Sequence, residues 1–94
     1  MAFGRIVFYP GGTEAQYQAV IDEIGPAFSD VPERIFHTAG ASDGGWLMVI
    51  IWTSKEAFQR WAQEHIVPAH QRAGERGWQS QPETTDFETL HVLT

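Results

Sequence analysis

Trp46-Leu47-Met48-Val49-Ile50-Ile51-Trp52 is seven residues without a polar side chain. Asp43-Gly44-Gly45 precedes it and Thr53-Ser54 follows it. A run this short and this apolar, closed by turn residues on both sides, reads as a strand covered on both faces. Asp-Gly between two apolar runs is a strong hairpin signal, met by a type I′ turn with positive φ at its central residues. Arg34 to Ala41 and Gly45 to Thr53 are therefore expected to pair antiparallel. One cover for the apolar strand is the helix that follows. Few residues are left for the other, so a central strand under an irregular loop and a partner subunit are both open readings.

The flanking segments complete the pattern. Phe3 to Tyr9 reads as a first strand, ended by Pro10-Gly11-Gly12. Thr13 and Gln16 have the spacing of a capping box. Tyr17, Val20, Ile21 and Ile24 then fall on one helical face, and Gly25-Pro26 is a helix stop. Ala27 to Pro32 reads as a loop with a helical turn at Ala27 to Ser29. Glu33 to Ala41 is the second strand, with Ile35, His37 and Ala39 on one face and Phe36 and Thr38 on the other. Ser54 caps a second helix whose stripe is Phe58, Trp61, Ala62 and His65. Pro68 is expected to break or kink it, with one further short turn over Val67 to Ala73. Gly74 to Pro82 reads as a polar loop holding a lone Trp78, and Thr84 to Leu93 as a fourth strand.

The order β-α-β-β-α-β is the ferredoxin-like split βαβ arrangement, an α+β class. It puts two helices on one face of a four-stranded antiparallel sheet and leaves large apolar side chains on the other. The 94 residues are read as one domain, 1–94, with enough apolar content (43%) for a core. So small a domain gains from association, and a homodimer is expected. Cysteine is absent, which removes disulfides, thiolate metal sites and cysteine nucleophiles and fits a cytoplasmic location. No signal peptide or membrane span is visible. The formal charge is −6 and the basic residues are scattered, so nucleic acid is not an expected partner.

The chain resembles the dimeric α+β barrel superfamily, most closely small proteins like the antibiotic biosynthesis monooxygenases. The matching residues are Gly12-Thr13-Glu14 leading into Tyr17 and Val20-Ile21, Phe36 to Gly40 with Asp43 to Trp46, and Val49-Ile50-Ile51-Trp52-Thr53-Ser54-Lys55-Glu56-Ala57-Phe58. The resemblance implies that two sheets form one barrel and that each subunit holds a small-molecule cavity between sheet and helices. It implies chemistry among cofactor-free oxygenases, haem-degrading enzymes, polyketide cyclases and isomerases. The cofactor-free oxygenases and haem degraders typically place an asparagine in the cavity. This chain has no asparagine, so that residue cannot be carried over. Val67-Pro68-Ala69-His70 is similar to a His-Pro-Ala-His segment of plant dimeric-barrel polyketide cyclases, which implies His70 as a general base.

Histidine is the default proton shuttle near neutrality. His65 closes an apolar stripe and is expected to point toward the sheet. His70 is expected near the cavity mouth just past Pro68. His37 sits mid-strand, facing either the cavity or a dimer interface. His91 is expected to be interfacial or exposed. His65 and His70 are five apart across a proline, not the four of a one-face pair, so no metal site is expected. No flavin, nicotinamide or nucleotide motif is present, and no cofactor is expected. Tyr9, Tyr17, Trp46, Trp52, Phe58 and Trp61 are the aromatic side chains available to hold a ligand.

The expected function is binding of a hydrophobic, aromatic or polyketide-like molecule, with His70 or His65 as base and Tyr9, Tyr17 or His37 as hydrogen-bond partner, for cyclisation or isomerisation. The alternatives are cofactor-independent oxygenation and a non-catalytic binding dimer. A cavity filled by Trp52, Trp61 and Phe58 would favour binding alone. An open one reached by a histidine would favour an enzyme.

Overall fold

The computed structural model describes residues 1–93. Strand β1 (Phe3–Pro10) leads to helix α1 (Glu14–Ile24) and a 3-10 turn (Gly25–Phe28). Strands β2 (Arg34–Ser42) and β3 (Gly45–Trp52) follow, then helix α2 (Lys55–Trp61), a π-helical turn (Ala62–Ile66), helix α3 (Val67–Ala73) and strand β4 (Glu83–Glu88). The four strands form one antiparallel sheet in the order β2-β3-β1-β4. The expected ferredoxin-like α+β arrangement is the observed one.

Local chemistry accounts for the element ends. The Thr13 hydroxyl accepts from the Gln16 N–H, and the Gln16 side chain accepts from the Thr13 N–H, both at 3.1 Å. Two of the orphan donors at the start of α1 are thereby met. Ser54 does the same for α2 through the Ala57 N–H. The hairpin turn is not type I′. Gly44 has φ 79°, but no residue other than glycine has positive φ, so Asp43 stays on the ordinary side. The Gly44 carbonyl accepts from the Gly11 N–H at 2.7 Å, which ties the turn to the end of β1.

Three further expectations are corrected. The further helical segment expected over Val67 to Ala73 is present as α3, but Pro68 does not break the helix before it. Its missing N–H is absorbed just upstream, where the Val67 N–H reaches back five residues to the Ala62 carbonyl, and the chain stays helical from Lys55 to Ala73. The fourth strand ends at Glu88 rather than Leu93. Glu88 pairs with Phe3, the first residue of β1, and just beyond it the Thr89 N–H and hydroxyl both donate to the Ala2 carbonyl. His91 is accordingly outside the sheet and exposed. Gly74–Pro82 is not simply a solvated loop, because Trp78 turns inward and is buried.

Register sorts the side chains. Phe3, Arg5, Val7 and Tyr9 of β1 and Trp46, Met48, Ile50 and Trp52 of β3 face the helices. Their neighbours Ile6, Phe8, Leu47, Val49 and Ile51 form the other face. There Phe87 lies against Gly4, where a methyl group would collide with its ring. The core is split in two. One cluster joins Phe3, Ile50, Trp52, Ala57 and Phe58. The other joins Val20, Trp46, Ala69, Ala73 and Trp78.

Candidate active site

Between the two clusters, on the helical side of the sheet, lies a cavity of about 250 Å³ lined by residues of both. Trp52, Phe58, Trp61, Ala62 and Ile66 wall one side, and Tyr9, Tyr17, Val20, Met48 and Trp78 the other. His37 and Arg34 from β2 supply polar groups. A mostly apolar hollow with a few convergent polar groups has the composition of a small-molecule site.

The central polar contact is a hydrogen bond of 2.8 Å between Tyr17 Oη and His37 Nε2. Tyr17 belongs to the inward stripe of α1, and His37 stands opposite Ile50 on the inward face of β2. Phe28 meets the imidazole edge-on, with ring centroids 5.3 Å apart. Burial, with the nearby Arg34 guanidinium, pushes the His37 pKa down from 6.5 to about 4. Burial raises the Tyr17 hydroxyl, and Arg34 partly opposes it. At neutral pH both groups are uncharged. The pair can exchange one proton along one short hydrogen bond.

His65 and His70, expected at the cavity, do not line it. The π-helical turn is the reason. An extra residue in one turn rotates everything after it by about 100°. Ile66 therefore takes the inward place that a regular 3.6-residue count assigns to His65. His65 instead packs beside Trp61 with ring centroids 5.3 Å apart, its side chain one-third exposed. On α3, Ala69 and Ala73 face inward and His70 is exposed. Trp46 is buried behind Tyr17, with ring centroids 5.3 Å apart, and is not on the cavity surface. Tyr9, Tyr17, Trp52, Phe58 and Trp61 all line it.

Of the lining residues not expected from the sequence, Trp78 and Arg34 matter most to the site. Trp78 stacks on Tyr9 at 3.9 Å between centroids and 6° between planes, closing one end of the hollow. A lone tryptophan in a polar stretch was the available signal. Arg34 had none, because strand alternation places it on the other face. Among the described residues no three metal-ligating side chains come together.

The same architecture occurs in solved structures. SnoaB, a cofactor-independent oxygenase from Streptomyces nogalater, superposes with a TM-score of 0.63 at 24% identity, over 98% of this chain and 95% of that one. A Caulobacter crescentus protein assigned to antibiotic biosynthesis monooxygenases gives 0.73 at 12% identity, over 96% and 91%. This is the antibiotic biosynthesis monooxygenase fold. A third example of this fold, a monooxygenase from the gene ActVA-Orf6 of Streptomyces coelicolor solved with nanaomycin D, gives 0.63 at 17% identity, over 99% and 90%. At these identities the likeness establishes the fold. No protein-family model matches the sequence, and no curated protein does.

Proposed function

We propose that the protein is a cofactor-independent oxygenase acting on a small, flat aromatic molecule with an ionisable hydroxyl. The observation that carries the reading is the Tyr17–His37 hydrogen bond inside an aromatic-lined cavity. The oxygenases that share the fold lend it support. The cavity volume is below the roughly 300–1,000 Å³ of pockets for drug-sized ligands, which favours about two fused rings. The apolar outer sheet face supports a homodimer as the working form.

Chemically, Tyr17 takes the substrate hydroxyl proton as its own passes to His37 Nε2. A histidine held near 4 is neutral and free at pH 7. It accepts the proton only as a negative charge appears beside it, and the substrate anion supplies that charge. The electron-rich anion then reduces dioxygen. For a naphthol, a ring carbon gains one oxygen atom and the second leaves as water with the two hydrogens lost, giving a naphthoquinone.

1-Naphthol is a suitable probe, followed with an oxygen electrode and by quinone absorbance. The expected result is one dioxygen consumed per quinone formed, with His37→Gln slowing turnover by about 10²- to 10⁴-fold, the span of a general base. His70→Gln and His65→Gln should be close to wild type. Naphthol binding without oxygen uptake would overturn oxygenation and favour a binding protein. The same proton removal could begin a cyclisation or isomerisation, which would consume no oxygen.

A further inference from the structure

We propose that Arg34 makes the cavity selective for aromatic molecules bearing an anionic oxygen group, a carboxylate or an ionised hydroxyl, and holds that group beside the Tyr17–His37 pair. The inference deepens the reading above and rests on its cavity.

The placement of Arg34 begins with a bulge. Arg34 stands opposite Trp52, yet Phe36, two residues on, stands opposite Ile51, one residue back. Ile35 is the extra residue, and it leaves the alternation 42% exposed. Without the bulge, Arg34 would share the outer face with Phe36 and Thr38. With it, Arg34 joins His37 on the inner face and lines the cavity. Bulges recur next to active sites because they re-aim one side chain without disturbing the rest of the sheet.

The guanidinium is held in place but not neutralised. It donates one hydrogen bond of 2.5 Å to the Phe28 carbonyl and lies 5.0 Å from the centre of the Phe28 ring. Among the described residues, the other five basic side chains all reach a carboxylate: Arg5 and Lys55 reach Asp86, Arg60 reaches Glu33, and Arg72 and Arg76 reach Glu23. Arg34 reaches none. A half-buried cation that lines an apolar hollow and reaches no carboxylate favours an anionic ligand, since desolvated charge is costly until paired. Its positive field already extends to both proton-handling groups. The planar fork of arginine suits two-oxygen and aryl-oxide acceptors.

The test compares 2-naphthoate with its neutral analogue 2-naphthamide, by quenching of tryptophan fluorescence at pH 7.5. Wild-type protein is expected to bind the anion about 10- to 100-fold more tightly, the worth of one charge-assisted contact. Arg34→Gln, which removes the charge and keeps a polar amide, should abolish the preference and leave naphthamide affinity within about twofold. Arg34→Met serves if that variant does not fold. Equal wild-type affinities would overturn the proposal and leave the cavity reading standing. So would loss of both ligands by the same factor in the variant, because that describes a purely structural arginine. Failure of both ligands to bind wild-type protein would overturn the cavity reading itself, and this inference with it.

Discussion

His37 combines a depressed pKa, one hydrogen-bond partner and a cationic neighbour, and the consequence for stability has a definite sign. The unfolded chain takes up the imidazole proton as pH falls through about 6.5, while the folded chain resists until about 4. Between those values the unfolded state binds more protons, so stability should fall with falling pH across that window and gain nothing further above it. The full shift would be worth about 3 kcal/mol, and the partial exposure of the ring reduces this to about 1–2 kcal/mol. Urea denaturation at pH 7 and pH 4.5 should show a loss of that size in wild type that is absent in His37→Gln. Asp86 and Glu23 are also held below their ordinary values, by Arg5 and Lys55 and by Arg76 and Arg72 respectively. Their contribution is lost only as pH falls further into the carboxylate range, and subtracting the His37→Gln curve removes it. An unchanged slope in the variant would mean that His37 is not desolvated in solution.

At the scale of elements, β3 and the helical rod after it depend on Trp52. It is 1% exposed and packs against Phe58 edge-on and Trp61 at a tilt, each with ring centroids 5.4 Å apart. It also forms part of the cavity wall. Trp52→Ala would enlarge the hollow and remove the contact between strand and helix. The expected cost is about 3–5 kcal/mol by chemical denaturation, and a loss below about 1 kcal/mol would show that the wall is not packed as described. The π-helical turn serves the same interface. It lets the rod pass Pro68 without ending and presents Ala62 and Ile66 to the cavity. Turns of this kind are often found at functional sites.

For the whole molecule, the decisive feature is the sheet face without helices. Ile6, Phe36 and Phe87 are each 37–39% exposed there, beside the half-buried Phe8, Leu47, Val49 and Ile51. Contiguous apolar surface of this kind marks an association site, and a second copy of the chain would cover it sheet against sheet. Sedimentation at micromolar concentration is expected to show a dimer burying about 1,500 Å² or more. A polar substitution at its centre, Val49→Lys, should yield monomer without unfolding the subunit. A stable wild-type monomer would remove the dimer from the reading.

Most of the elements are written locally in the chain. Capping residues, the 3.6-residue stripe of α1, the Asp43-Gly44 turn and the seven-residue apolar run are local signals, and each acts within a few residues of where it is written. The order of elements then leaves few ways to build one sheet, which is why the ferredoxin-like arrangement was legible. The aromatic lining was legible in large part too, because an inward stripe stays inward while its period holds. The polar groups of the cavity depend on long-range packing. His37 faces the cavity because of its register with β3. Arg34 joins it through a one-residue bulge. His65 is turned away by one extra residue in a helical turn, and Trp78 reaches Tyr9 from a segment with no period at all. A shift of one residue in a strand reverses its faces, and in a helix it rotates them by about 100°. Composition and spacing do not encode such shifts. They are settled by packing between segments far apart in the chain.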